Sequence, residues 1–229
     1  LYNNGKTWQL AYTANEQVAV AEASSLIGPY TQKSVKPVDA SAKNIDPFVF
    51  TDDDGKSYLY HVRFDNGNYI WVAAYDKNTG SIDHNTLKRC LDNTEAWENT
   101  GDYPSAPIME GPTVIKRNGK YYLFYSANHF MSRDYAVGYA VADSPMGPWK
   151  KPANNRIIHR STVGENGSGH GDVFYDKKGN AFYVYHVHNS NNAVSPRLTR
   201  IVPLHFAPTN DGYDRITVKK DEVIVPMRK

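Results

Sequence analysis

A short pattern recurs four times along this chain: a glycine turn followed by an alternating, aromatic-rich run. The copies read Gly5-Lys6-Thr7-Trp8-Gln9-Leu10-Ala11-Tyr12, Gly55-Lys56-Ser57-Tyr58-Leu59-Tyr60, Gly119-Lys120-Tyr121-Tyr122-Leu123-Phe124-Tyr125 and Gly179-Asn180-Ala181-Phe182-Tyr183-Val184-Tyr185. Each copy reads as a β-strand opened by a tight turn. Self-similarity of this kind constrains the fold strongly, because one supersecondary unit cannot bury its apolar face without its neighbours.

Upstream of the last three turns lies a second short apolar strand: Ile45 to Phe50, Glu110 to Ile115, and His170 to Phe174. A third strand follows each copy, at Val18 to Ala23, Ile70 to Tyr75, Ala136 to Ala142 and Leu198 to Leu204. Two units end alike, in Ser25-Leu26-Ile27-Gly28-Pro29-Tyr30 and Ser144-Pro145-Met146-Gly147-Pro148-Trp149, a turn into a short outer strand. The predicted unit is a four-stranded antiparallel sheet. The turn glycines are 50, 64 and 60 residues apart, which suits the blades of an all-β propeller better than an immunoglobulin-like sandwich, where no four-stranded unit repeats. The expected organisation is one domain over 1–229, with blades at about 1–40, 41–105, 106–165 and 166–229 and the first incomplete.

Composition narrows the function. At 40% hydrophobic and 22% charged residues, the 229-residue chain can bury a core. A formal charge of +2 without a long basic run excludes a phosphate-backbone binder. No apolar stretch approaches the roughly 20 residues of a membrane span, and Leu1 to Lys6 carries no signal-peptide pattern. The lone Cys90 excludes an internal disulfide and a multi-cysteine zinc site; set among Lys88, Arg89 and Asp92 without a base, it reads as a packing or surface thiol. Asp52-Asp53-Asp54-Gly55 lacks the ligand spacing of an EF-hand and reads as a hairpin turn, and Asn166-Gly167-Ser168 is a weak glycosylation pattern.

Asp46, Glu110 and His170 each stand nine positions before a turn glycine. Singly, each has a structural reading as a turn, loop or hydrogen-bonding residue. Their common register instead places three ionisable groups at one mouth of a channel lined by the first strands. Antiparallel connection brings to the same mouth the loops with Asn15 and Glu16, Arg63 and Phe64, Asn128 to Asp134, and His188 to Arg197, together with the segment Glu95 to Met109 that carries Trp97 and Tyr103. Aromatic and amide groups around a carboxylate pair suit a carbohydrate.

At these residues the chain resembles the five-bladed β-propeller glycoside hydrolases of family 43, which include β-xylosidases, α-L-arabinofuranosidases and arabinanases. The resemblance is carried by Ile45-Asp46-Pro47-Phe48-Val49-Phe50 with Asp52 to Lys56, by Glu110-Gly111-Pro112 with Asn118 to Leu123, by Gly147-Pro148-Trp149 and by Gly169-His170, in order and at blade spacing. It implies hydrolysis of arabinose- or xylose-containing plant saccharides with inversion at the anomeric carbon. Glu110 matches the general acid, and Asp46 the carboxylate that orients that acid and raises its pKa. His170 matches a channel histidine that helps hold a metal ion, often calcium, through water, and Arg197 an arginine facing the site; no cofactor is otherwise required. Asn128, Phe130, Trp97 and His186 are the further candidates for holding the sugar. The family's general base lies on the first strand of its first blade, and no residue here corresponds to it, so the reading expects the base, and an N-terminal blade in cis or trans, from sequence before Leu1. The resemblance also implies a secreted or periplasmic protein. Two rival readings are a non-catalytic carbohydrate-binding propeller and a retaining transferase or sucrose-splitting enzyme on a related fold.

Overall fold

The computed structural model describes residues 1–32 and 35–226. Four antiparallel sheets follow one another along the chain, and a two-stranded hairpin closes it. The first sheet contains Tyr2–Asn3, Trp8–Ala14 and Gln17–Ala23; the second, Asn44–Thr51, Ser57–Phe64, Asn68–Asp76 and Ser81–Ile82, with Lys88–Arg89 also paired to its third strand. The third contains Met109–Arg117, Lys120–Ala127, Ala136–Ala142 and Arg156–Ile158; the fourth, Gly169–Tyr175, Ala181–Val187 and Leu198–Pro203. The hairpin pairs His205–Pro208 with Asp214–Thr217. Helix is confined to single short turns, the longest being Arg160–Val163, and none among the described residues is long and apolar enough to cross a membrane.

Side-chain alternation explains why these sheets stack. In Lys120–Ala127 every residue after Lys120 is buried, because successive side chains point to opposite faces and both faces are covered. Tyr122 and Phe124 pack with Tyr183 and Tyr185 of the fourth sheet. Leu123 and Tyr125 pack with Tyr60, Val62 and Val72 of the second. The second sheet turns its other face, Leu59, Ala73 and Tyr75, to Tyr2 and Val38 of the first unit. Each such buried side chain contributes about 1.5–3 kcal/mol, so the sheets are held as successive blades around their first strands. The fourth sheet differs: Phe174 stays 39% exposed, stacked on Phe182 at a ring separation of 5.4 Å, and Val184 and Ile201 on the same face are only half-buried.

The repeating unit is less uniform than the sequence pattern. Among the described residues, only the third sheet has four strands in simple order; in the first and fourth, single bridges between Glu22 and Thr31 and between Ile201 and Ile224 stand in for the outer strand. The terminal hairpin lies instead against the third sheet. Its Asp214 and Ile216 amides donate to the hydroxyls of Tyr122 (2.8 Å) and Tyr139 (3.3 Å), and Asp214 accepts from Arg117 Nε at 2.7 Å.

Candidate active site

Three first strands are bulged at the same height. In the second sheet Ile45 faces Val62 and Phe48 faces Tyr60, leaving Asp46 and Pro47 opposite His61. In the third, Glu110 faces Ser126 and Thr113 faces Phe124, leaving Gly111 and Pro112 opposite Tyr125. In the fourth, Gly169 faces His186 and Gly171 faces Tyr185, leaving His170 extra. The bulge residues Asp46, Gly111 and His170 have φ of +53°, +60° and +45°, and such bulges re-aim side chains next to functional sites. The ladder therefore aligns Asp46 with Gly111 and His170, and Glu110 with Ile45 and Gly169, one residue off the spacing counted from the turn glycines. The cause is hairpin length: Asn118-Gly119 is a two-residue turn, whereas Asp52–Lys56 and Asp176–Asn180 are five-residue turns.

The offset brings the carboxylates together rather than apart. Gly111 N–H donates to Asp46 Oδ2 at 3.1 Å, so the residue after Glu110 is tied to Asp46. His170 Nδ1 lies 3.9 Å from the same oxygen, and its backbone N–H donates to Ser126 Oγ at 2.8 Å. A Cβ on Gly111 would stand 3.2 Å from the His170 ring, so glycine there serves both the left-handed backbone and the close approach. Half-buried Glu110 accepts from the Tyr135 hydroxyl at 2.6 Å. Burial first, and then the neighbouring Asp46 charge, push the Glu110 carboxyl above its ordinary pKa. A cavity of about 430 Å³ is lined by Asp46, Phe48, Thr113, His170, Asp172 and His186 among others.

Arg197 is held at the rim from two sides. Its Nη1 donates to His186 Nε2 at 2.8 Å, and its guanidinium lies 5.2 Å from the centre of the Phe130 ring. Phe130 also stacks on His129 at 4.7 Å, which in turn stacks on Tyr103 at 4.1 Å. Phe130, itself 37% exposed, therefore braces Arg197 at the rim. His186 is pushed down to about 3, first by burial and then by the Arg197 charge, so the imidazole is neutral and can accept.

Two sequence candidates have structural tasks. The Asn128 amide donates to the carbonyls of Trp97 (2.7 Å) and Asp134 (2.9 Å), and its oxygen accepts from Thr100 N–H (2.8 Å) and hydroxyl (3.2 Å); every polar atom is used in holding loops. Trp97 stacks on Tyr125 at 5.8 Å and donates to Asn155 Oδ1 at 3.2 Å, and a Cβ on Gly138 would stand 2.7 Å from its ring. It is packed over the third sheet. Tyr135 and Asp172, which the sequence pattern passed over, do face the site region; Asp172 Oδ1 accepts from Thr113 Oγ1 at 3.0 Å.

The implied calcium has no protein-built cage. Among the described residues no group of three or more His, Cys, Asp or Glu side chains is placed to hold a metal ion, whereas calcium takes roughly six to eight oxygen ligands. His170 would meet an ion only through water, as the resemblance implies, and no step is assigned to an ion.

Comparison with known proteins agrees with this geometry. Residues 1–212 match the model of the glycosyl hydrolases family 43, and the chain belongs to that family. A crystal structure of an endo-1,4-beta-xylanase from Bacteroides thetaiotaomicron is 38% identical, with a TM-score of 0.87 over 98% of this chain and 74% of that one. A beta-D-galactofuranosidase from Aspergillus niger is 29% identical over 78% of this chain and 49% of its own length. An arabinoxylan arabinofuranohydrolase from Paenibacillus polymyxa is 27% identical over 83% and 32%. The chain thus spans about half or less of the length of these two curated relatives. The five-bladed propeller, with an incomplete first blade, is the fold this relationship and the stacked sheets define.

Proposed function

We propose that this chain forms most of the catalytic domain of an inverting glycoside hydrolase acting on arabinose- or xylose-containing plant polysaccharides or oligosaccharides. Glu110 is the general acid that protonates the departing glycosidic oxygen, and Asp46 holds and tunes it. The observation that carries the reading is the Glu110 carboxyl itself: half-buried, held by Tyr135, and pushed above its ordinary pKa by burial and by an Asp46 whose position is fixed through Gly111 N–H. Arg197, braced by His186 and Phe130, supplies a fixed cation for a sugar hydroxyl. Similarity to an endo-1,4-beta-xylanase and an arabinoxylan arabinofuranohydrolase supports the substrate class. Saccharides of that size lie outside the cell, which favours a secreted or periplasmic protein.

Inversion needs a second carboxylate roughly 6.5–9.5 Å from the acid to activate water. We assign that base to chain outside these 229 residues, on a blade that would cover the open face at Phe174, Phe182, Val184 and Ile201. Glu110→Gln in the full-length protein is expected to lose about 10²–10⁴-fold on unactivated glycosides, with inverted product seen by NMR for the wild type. Near-normal hydrolysis by the variant would sink the assignment. Binding without turnover in the wild type would favour a carbohydrate-binding propeller. Turnover of an aryl pentoside by the 229-residue chain alone would place the base within it, with Asp172 the first residue to test.

A further inference from the structure

Tyr135 stands immediately before the strand Ala136–Ala142 and is completely buried. Its hydroxyl donates to Glu110 Oε1 at 2.6 Å and lies 3.4 Å from His170 Nδ1. The ring is fixed on both sides. It stacks on His186 at 5.6 Å with 14° between planes, and it fills the space that a Cβ on Gly169 would need, only 2.4 Å away. The loop before it is stapled as well: Ser132 Oγ donates to Asp102 at 2.5 Å, and Asp134 accepts from Arg160 Nε at 2.6 Å and pairs with His159 Nε2 at 2.9 Å. Such a phenol has no freedom to follow a moving partner, so the partner must sit where the phenol directs it.

We propose that Tyr135 is the positioning residue of the acid, fixing Glu110 Oε1 as the hydrogen-bond acceptor and so leaving Oε2 to carry the proton that passes to the leaving oxygen. The inference rests on the assignment of Glu110 as general acid. Among the described residues no hydrogen bond reaches Oε2, which suits an oxygen turned to substrate. In the step, the Oε2–H bond breaks and its electron pair stays on Glu110 as carboxylate, the proton joins the glycosidic oxygen, the anomeric C–O bond opens with its pair passing to that oxygen, and the base-activated water forms the new bond to the anomeric carbon. Tyr135 keeps its own proton throughout. Its hydrogen bond strengthens as the carboxylate charge develops, because a bond to a charged acceptor is stronger than one to a neutral acid. Asp46 and His170 from the adjoining strands, and Arg197 at the rim, are the other ionisable groups that face Glu110.

The test uses the full-length enzyme and leaving groups of different need for protonation: xylobiose and arabinobiose against the 2,4-dinitrophenyl β-D-xylopyranoside and α-L-arabinofuranoside. Tyr135→Phe keeps the ring and removes the donor. It is expected to lower kcat on the disaccharides roughly 10–100-fold, while kcat on the dinitrophenyl glycosides changes less than about threefold and KM stays within about threefold. Para-aminophenylalanine at position 135 restores a weaker donor in the same place and is expected to lose less than Phe, which keeps the test decisive if the Phe variant folds poorly. Equal losses on both substrate types, or no loss on either, would overturn the proposal. Glu110→Gln run in parallel separates the two ideas: if it hydrolyses the disaccharides normally, the acid assignment itself fails, whereas its loss combined with an unchanged Tyr135→Phe removes only the role of Tyr135.

Discussion

Asp46 and Glu110, on neighbouring first strands 64 positions apart, are coupled through a single backbone amide: Gly111 N–H donates to Asp46 Oδ2 at 3.1 Å. The carboxylate that raises the Glu110 pKa is therefore fixed relative to the main chain that carries Glu110.

Asp46→Asn separates charge from shape. Asn tolerates the positive φ of this position and keeps an oxygen for Gly111. Without the neighbouring negative charge, the Glu110 pKa moves down towards its ordinary value. A general acid works only while protonated, so the alkaline limb of the kcat/KM–pH profile is expected to shift to lower pH, and a limb that stays in place would contradict the coupling.

Phe130→Ala removes one brace of Arg197 and leaves the other, the His186 bond. A cation–π contact of this kind contributes about 0.5–2 kcal/mol. We expect KM on oligosaccharides to rise roughly 2–30-fold with kcat within about twofold. A fall in kcat at constant KM would mean that Phe130 acts on the reacting bond.

His186 links stability to pH. Its folded pKa near 3 lies below the unfolded value of about 6.5, so only the unfolded chain takes up this proton as pH falls through that window. Stability at this group is full above about pH 6.5 and is lost towards pH 3, at up to about 1.4 kcal/mol per pH unit. Urea unfolding between about pH 6.5 and 4.5, above most carboxylate titrations, should show a shallower decline for His186→Gln than for wild type.

Gly138→Ala tests the reassignment of Trp97 to the core. The added methyl meets the indole at 2.7 Å and the Tyr125 ring at 3.1 Å. Overpacking of this kind costs about 1–3 kcal/mol, read as a lower urea midpoint at unchanged slope. No change in midpoint would mean that Trp97 moves freely.

The strand pattern was legible because it is local: glycine turns and alternating aromatics place Ala136–Ala142 to the residue, and the other third strands to within two. The convergence of Asp46, Glu110 and His170 was legible from repeat spacing. Their true ladder alignment was not, since it depends on whether a hairpin spans two residues, as at Asn118-Gly119, or five. Asn128 and Trp97 read as sugar contacts because amides and aromatics serve loops and ligands alike, and the partners that decide between them, such as Thr100 for Asn128 and Asn155 for Trp97, lie 28 and 58 positions away. Tyr135 was hidden among 17 tyrosines, most of which pack the core; its one visible clue, the small residue at Gly169, acquires meaning only once the two are known to touch.

The recurring bulge has a bearing on how such a protein can change. An extra residue at one height of a first strand is unpaired, so its side chain can be exchanged without shifting any rung of the ladder above or below it. Asp46 and His170 occupy two such positions around one opening, while at the third the positive φ and the nearby His170 ring hold the residue to glycine. New substrate preferences can then be written at the opening one position at a time, while the stacked tyrosines beneath continue to hold the blades together.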